Sequence, residues 1–349
     1  MGTWDDVLKE VVAETPDPLS GQSGPDLVRR RKILKVESIS GIPLVVYAVN
    51  FVDAAKAANI GAGLQIDLND KTGFNQATSD IPPGPIDVLL HSPGGSPTAT
   101  ESLVHLLRAK YNPIRFIIPH TAKSAATMLA FSGNEVLFGR DAELGPIDPQ
   151  MQMSQDGRVV SVPAQAALDQ FDHAYQELSA DPKKVAVWLP IVRQFGPSFL
   201  QECRNAIALS EEFVTEWLKL YMFAGDPDAE DKAVRIATWL ANHNNFKSHS
   251  RRIGIEQLLA VEPTIKVSAL ADREVGFEDA VMDVYWAYDI TFNQTDAFKI
   301  IEHQHGSAYV RSAKLVPVLQ QAQNPINPAP RVNRPGGRGQ ARRDQFGRR

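Results

Sequence analysis

The chain has 349 residues, of which 43% are hydrophobic and 22% charged, and its formal net charge is −5. This composition is ordinary for a soluble globular protein, and the length allows one large domain with appendages or two domains. Cys203 is the single cysteine, which excludes an internal disulfide framework and fits a reducing compartment. No stretch approaches the roughly twenty apolar residues that span a bilayer, and the acidic start is unlike a secretory signal. We therefore expect a cytoplasmic protein without membrane contact.

The N-terminal third is predicted to lead into a sheet through short helices. A region of helix and linker, 1–34, precedes the main domain, predicted for 35–322. The predicted segments are, in order, an amphipathic helix at Trp4–Glu14, a Pro/Gly/Ser-rich linker at Thr15–Pro25, a basic helix or arm at Leu27–Lys35, a strand at Leu44–Val49, a short helix at Phe51–Asn59 and a helical stretch at Asp67–Thr78.

Three short apolar runs are typical of buried parallel strands: Ile86–Leu90, Ile114–Ile118 and Glu135–Phe138. Between the first two lies Thr98–Tyr111, in which leucines recur at helical spacing. This order predicts a β-α-β crossover. In open α/β sheets ligands bind at the carboxyl ends of the strands, so the loops after these strands are the candidate site.

The second half is predicted to be mainly helical. A polar hairpin at Met151–Val162 comes first. Helices follow at Ala164–Leu178, Lys184–Phe195, Phe199–Met222, Lys232–Leu240, Phe277–Phe292 and Ala297–Gln304. The tail, 323–349, is rich in Pro and Gly and carries seven Arg and one Asp from Asn324 onward. We expect it to be disordered and to contact an acidic partner or nucleic acid.

Two loops carry the candidate chemistry. Gly94 and Gly95 follow the first strand of the crossover, and paired glycines let backbone N–H groups approach a negative oxygen. Ser124 follows the second strand, at the start of an Ala- and Met-rich segment where the N–H of Ala125 is free to donate. Taken separately, a Gly-Gly pair is usually a turn and a serine at this place is usually an N-cap. Taken together, the loops describe a nucleophile facing an oxyanion hole.

Three motifs occur in order: H-S-P-G-G at 91–95, P-H-T-A-K-S-A-A-T at 119–127 and L-G-P-I-D-P-Q at 144–150. Together they resemble the serine dehydrogenase proteinase family of Clp-fold serine peptidases, related to signal peptide peptidase A, the NfeD-type proteases and ClpP. Ser92 stands where that family usually has Thr, and Ala126 where it has Gly. The resemblance implies a ClpP/crotonase-like α/β fold, with a largely parallel sheet flanked by helices and C-terminal helical additions. It also implies a serine endopeptidase that acts on peptides or unfolded protein and forms a homo-oligomer. No cofactor is expected, and one cysteine with scattered histidines predicts no metal site.

The general base that Ser124 requires is left open between four residues. ClpP-like enzymes use a His-Asp pair and the other relatives use a lysine. Lys183 and Lys184 fall near where the lysine-dependent relatives place theirs. Asp148 lies in the third motif, and His249 lies in F-K-S-H-S-R-R-I, which resembles a histidine-containing segment of the family. His91 and His120, which precede the two loops, are interpreted as scaffold.

Two other functions compete with the peptidase. A crotonase-like acyl-CoA enzyme uses the same oxyanion hole, and it needs carboxylates for which Glu101 and Glu143 are the nearest candidates. A catalytically inactive assembly module is the other alternative. The sequence has no P-loop, so ATP-driven unfolding of a substrate requires a separate chain.

Overall fold

The computed structural model describes residues 2–19, 21–155, 158–305 and 308–314. The predicted disordered tail, 323–349, lies outside the described residues. The strands within them are β1 (Leu44–Val49), β2 (Gly84–His91), β3 (Tyr111–Ile118), β4 (Thr121–Ala122), β5 (Glu135–Phe138), β6 (Glu143–Leu144), β7 (Gln150–Gln155), β8 (Arg158–Pro163), β9 (Val267–Ala269), β10 (Ala297–Glu302) and β11 (Tyr309–Ser312).

Helices surround these strands. In chain order they are α1 (Trp4–Ala13), α2 (Gly24–Ser40), α3 (Ala54–Ile60), α4 (Asp70–Ala77), α5 (Pro97–Arg108), α6 (Ala125–Phe131), α7 (Ala164–Ala180), α8 (Val185–Val192), α9 (Phe199–Trp217), α10 (Ala229–Ala241), α11 (His243–Phe246), α12 (Ile255–Val261) and α13 (Phe277–Gln294). None of the helices in the described ranges has the length and apolarity that crossing a membrane requires.

The central sheet has seven strands among the described residues, in the order β11-β10-β1-β2-β3-β5-β9. Strands β1, β2, β3, β5 and β9 run parallel to one another, and β10 is antiparallel to both of its neighbours. The predicted α/β fold with a largely parallel sheet flanked by helices is therefore confirmed. Two smaller sheets, β4-β6 and β7-β8, lie outside the central one.

The centre of the sheet is buried on both faces, which explains the apolar runs in β1, in β5 and towards the carboxyl ends of β2 and β3. Alternate residues of β1 point to opposite faces. On one face Val46 belongs to a hydrophobic cluster with Ile33 of α2 and Val284 of α13. On the other face Val45 belongs to the cluster that includes α5, α6, α9 and α10. The loops at the carboxyl ends of β2 and β3 are thus carried by strands held from both sides.

The predicted helix at Ala297–Gln304 is wrong, because Ala297–Glu302 forms strand β10. All six residues of β10 are buried, and a short apolar run that is buried on both faces cannot be told from a helix by its period. Its two charged side chains are paired inside the protein. Lys299 Nζ lies 2.8 Å from Asp70 Oδ1, and Glu302 Oε1 lies 2.5 Å from Arg29 Nε.

Several predicted helices have different ends from those expected, and the capping residues explain them. Ser23 accepts a hydrogen bond from the N–H of Asp26 and so starts α2 three residues before the predicted Leu27. Gly41, at φ +68°, ends α2 beyond the predicted Lys35. Similarly, Asp53 caps α3, which begins after the predicted Phe51.

Candidate active site

Ser124 lies at a sharp turn between β4 and α6. Its φ is +53° and its ψ is −123°, a conformation that is strained for any residue other than glycine. Its side chain forms no capping hydrogen bond with the first turn of α6, so the interpretation of Ser124 as an N-cap is not supported. The residue is half-buried and lines a cleft. A strained strand-to-helix turn that presents a serine to a cleft is a common arrangement for a nucleophile.

The glycine loop after β2 lies directly against this turn. Gly94 has φ +94°, and a Cβ added there would lie 2.8 Å from the Cβ of Ser124 and 2.9 Å from the N of Ala125. Only a residue without a side chain allows this approach. Ser92 Oγ accepts a hydrogen bond of 3.2 Å from the Gly94 N–H, which holds the loop in place.

Gly95 is fixed by Ile66 from the other side. The Ile66 N–H donates to Gly94 O at 2.8 Å, and the Ser96 N–H donates to Ile66 O at 3.0 Å. Within the described part of the chain, the N–H groups of Gly95 and Ala125 have no backbone acceptor. Gly95 lines the cleft together with Ser124. Two unused backbone donors therefore belong to the two loops that meet at Ser124.

Asp148 brings two histidines together. Its Oδ1 lies 2.7 Å from His249 Nδ1 and its Oδ2 lies 2.7 Å from His243 Nδ1. The carboxylate is only 2% exposed, and Gln150 Nε2 donates a third hydrogen bond to Oδ2 at 3.0 Å. Because a carboxylate accepts, each histidine donates from Nδ1, and in a neutral imidazole the other ring nitrogen, Nε2, is then the acceptor. His249 lines the same cleft as Ser124.

The segment that carries His249 is tied to the sheet loops by backbone hydrogen bonds. Leu144 of β6 and Ile253 form an antiparallel bridge with N···O distances of 2.9 and 3.0 Å. The N–H of Ile147 donates to Leu240 O of α10, which fixes the loop before Asp148. These contacts explain how two residues that are 101 positions apart come within hydrogen-bond distance.

The two lysines among the candidate bases lie outside the cleft that holds Ser124. Lys183 is exposed in a short 3-10 helix after α7, and Lys184 Nζ lies 2.6 Å from Glu177 Oε2. Neither of these two lysines lines the cleft. Lys123, next to Ser124, turns away and pairs with Glu143 at 2.7 Å. Among the candidate bases, the structure therefore places His249 in the cleft with Ser124 and Asp148 behind it.

His243 was not singled out by the sequence analysis. It lies six residues before His249 in A-N-H-N-N-F-K-S-H, and it starts the short helix α11. Two histidines this close in a polar segment are the signal that could have identified it. Gln150, the last residue of the third motif, is the other contact of Asp148 that was missed.

The cleft itself has a volume of about 860 Å³. One wall is formed by residues before α4 and by the glycine loop, and the other by the start of the β7-β8 hairpin, including Gln150 and Gln152. β7 pairs with β8 along one edge, and among the described residues no strand covers its other edge. The Ser124 turn and the start of this two-stranded sheet thus line the same cleft.

Comparison with known families gives a match over residues 65–184, to the family described as ClpP-like SDH-type serine proteinase. The resemblance to the serine dehydrogenase proteinases is therefore confirmed over this segment. Ser124, the glycine loop and Asp148 lie within the matched residues, and His249 and His243 lie beyond them.

Two curated relatives come from Methanocaldococcus jannaschii, and both are uncharacterized proteins. MJ1495 is 28% identical over 174 residues, which cover 49% of this chain and 51% of the relative. MJ0137 is 33% identical over 88 residues, which cover 25% of this chain and 31% of the relative. The matches thus span about half and about a third of the relatives' own lengths.

Two solved structures that align with part of this chain are both of the membrane-bound stomatin-specific protease 1510-N. A serine-to-alanine mutant aligns with a TM-score of 0.34 at 16% identity, covering 58% of this chain and 74% of that chain. A lysine-to-alanine mutant in complex with a substrate peptide aligns with a TM-score of 0.35 at 16% identity, covering 72% of this chain and 85% of that chain.

Proposed function

Residues 65–184 carry the ClpP-like SDH-type serine proteinase match, and from this premise we propose that the chain is a serine endopeptidase with Ser124 as nucleophile. The observation that carries the proposal is the shared cleft. Ser124 and His249 line it together, and His249 is held by the buried carboxylate of Asp148. Nucleophile, base and orienting group are the three parts that acyl transfer by serine requires.

In the proposed reaction Ser124 Oγ attacks the carbonyl carbon of a peptide bond while His249 Nε2 takes the hydroxyl proton. Asp148 keeps the proton on Nδ1 and stabilises the imidazolium that forms. His249 then protonates the leaving amine, and the acyl-enzyme remains. Water attacks this ester with His249 again as base, which releases the second product and restores Ser124.

We assign the oxyanion hole to the N–H groups of Gly95 and Ala125. Both lack a backbone acceptor among the described residues, whereas the Gly94 N–H already donates to Ser92 Oγ. Gly94 then has a different task, which is to let the loop approach the Ser124 turn. Removing one such donor typically costs about 10²- to 10³-fold in kcat.

The substrate we propose is an extended peptide or an unfolded protein. The start of β7 lines the cleft, and its edge away from β8, which no strand covers among the described residues, offers backbone groups with which an extended strand can pair. A homo-oligomer is part of the proposal, as is a contact of the Arg-rich tail with an acidic partner or nucleic acid. Binding of nucleic acid through the tail would weaken steeply with added salt.

Release of dye from labelled casein tests this function. The native chain is expected to release dye, and Ser124→Ala is expected to lose the activity while its circular dichroism is unchanged. Ser96→Ala is a matched control, because Ser96 also lines the cleft but caps α5. Hydration of an enoyl-CoA without casein cleavage would support the crotonase alternative. Absence of both activities would support the assembly module.

A further inference from the structure

A second cavity, of about 110 Å³, lies at the carboxyl ends of β1 and β2, between the sheet and α13. Asn50 and His91 form part of its lining, and Tyr285 and Phe292 of α13 form another part. It shares no lining residue with the cleft that holds Ser124. The residues of β1 and β2 that line it include Ala48 and Leu89, which belong to the face of the sheet covered by α2 and α13. The cavity is therefore separate from the proposed active site.

Two buried polar atoms of the lining have no hydrogen-bond partner among the described residues, Asn50 Nδ2 and His91 Nδ1. Asn50 is 7% exposed and His91 is 5% exposed. A buried polar atom without a partner costs about 1–3 kcal/mol. Ala48 pairs with His91 across the two strands, and Asn50 follows directly after the last residue of β1, two positions beyond Ala48, so it lies on the same side of the sheet as Ala48 and His91. Both atoms belong to residues that line the same cavity.

The chemistry of the lining selects a neutral ligand. Burial, together with the nearby His120, lowers the pKa of His91 to about 3, so the imidazole is neutral at pH 7. A neutral imidazole has one donor and one acceptor nitrogen. Asp289 also lines the cavity and disfavours an anion. The rings of Phe51 and Tyr285 lie 4.9 and 5.2 Å from the His91 ring, so the space around the polar atoms is aromatic.

We propose that this cavity is a binding site for a small neutral molecule that carries a hydroxyl or amide group on an apolar body. Such a group accepts a hydrogen bond from Asn50 Nδ2. It can also donate a hydrogen bond to His91 Nδ1 or accept one from it, depending on the tautomer of His91. The apolar body contacts the aromatic wall. The volume of about 110 Å³ is smaller than the roughly 150 Å³ of a cavity that takes up benzene, but this cavity opens beside the exposed Val52, so a single ring is the largest body that it can accommodate.

Phenol is the probe for this site, with benzene and benzoate as comparisons, titrated into the full chain by calorimetry. Phenol is expected to bind, benzene to bind about 3- to 10-fold more weakly because it forms no hydrogen bond, and benzoate not to bind. Asn50→Ala is expected to weaken phenol binding by a similar factor. Val52→Phe is expected to block the opening and abolish binding, whereas Val159→Phe, at another exposed valine, which lies in β8, leaves it unchanged.

The site does not depend on the peptidase activity, so Ser124→Ala should bind phenol as the native chain does. If benzene bound as tightly as phenol, the cavity would bind apolar molecules without using the polar atoms of Asn50 and His91. Equal phenol binding by Val52→Phe and the native chain would place the phenol elsewhere. Either result overturns the proposal, as does a crystal soaked with phenol that shows only water between Asn50 and His91.

Discussion

Asp148 is the residue on which the proposed base depends, and it is shared between two histidines. His249 occupies one carboxylate oxygen and His243 the other. Because His243 does not line the cleft, its proposed role is to position Asp148 rather than to touch the substrate. A carboxylate with fixed donors on both oxygens holds the imidazole of His249 in one tautomer and one orientation.

His243→Ala is predicted to lower kcat about tenfold and to leave KM unchanged, since it removes one charge-assisted hydrogen bond from Asp148. His243→Asn keeps an amide donor near the same place and should restore part of kcat. His173→Ala, at an exposed histidine of α7, is the control and should have no effect. Equal losses of kcat in the alanine and asparagine variants would contradict the positioning role, and the measurement is steady-state hydrolysis of a peptide.

His91 makes a separate prediction about stability. Its pKa is about 6.5 in the unfolded chain and about 3 in the folded protein, because it is buried and lies near His120. Below pH 6.5 the unfolded chain binds a proton that the folded protein does not, so stability falls as the pH falls. Between pH 7 and pH 5 this single group is expected to cost about 2 kcal/mol.

Urea unfolding of the native chain and of His91→Phe at both pH values measures this cost. The native free energy of unfolding should fall by about 2 kcal/mol more than that of the variant. Equal losses in the two proteins would show that His91 titrates normally.

Among the elements, the glycine loop after β2 packs directly against the turn into α6, so a change in the loop displaces the turn. Gly94→Ala is predicted to lower kcat/KM by about 100-fold or more, because the added Cβ pushes the loop away from Ser124 and misplaces reacting groups. Gly41→Ala is the matched control. Gly41 also has a positive φ, but an added Cβ meets nothing within 4 Å.

Both glycine variants are therefore expected to lose about 1–2 kcal/mol of stability from the backbone conformation, and only Gly94→Ala should lose activity. Peptide hydrolysis and thermal unfolding of both proteins separate the two effects. An active Gly94→Ala protein would mean that the close approach of the loop has no catalytic role.

The structure could be predicted best from the sequence where the residues of one strand or helix are enough to determine its conformation. The three parallel strands β2, β3 and β5 were predicted because each is a short apolar run bounded by loop residues. The run Ala297–Glu302 looked the same in composition but was predicted as a helix. Its place beside β1 depends on residues far away, including Asp70 and Arg29, which pair with its charges.

The site was predictable in part for the same reason. Ser124 and the glycine loop are adjacent to strands whose order the sequence indicates. The contact between Asp148 and His249 depends on the bridge between Leu144 and Ile253, and no local pattern encodes that pairing. The sequence therefore left four candidate bases, and the roles of Lys183 and Lys184 stay predictions to be tested.

At the scale of the whole molecule, α8 is an apolar helix that a single copy of the chain leaves exposed to water. All eight of its residues, V-A-V-W-L-P-I-V, are apolar and none is buried; Val187 is 68% exposed and Leu189 42%. Burying such a helix stabilises an assembly by about 25 cal/mol for each Å² of apolar surface removed from water. Since a homo-oligomer is expected, we predict that α8 lies in the contact between copies.

Val187→Glu is predicted to dissociate the oligomer, because it places a charge in this contact. Val275→Glu, at a fully exposed valine before α13, is the control and should not change the assembly. Size-exclusion chromatography with light scattering gives the mass of each protein. A native monomer, or an oligomer that persists in Val187→Glu, would contradict this prediction.

The most direct test of the central claim is the rate and position of labelling by a fluorophosphonate, with the modified peptide identified by mass spectrometry. Ser124 should carry the label. The rate should fall by about 10³-fold or more in His249→Ala and should be unchanged when Lys183 and Lys184 are both replaced by Ala. A label on another residue, or a rate that depends on the two lysines and not on His249, would contradict the account.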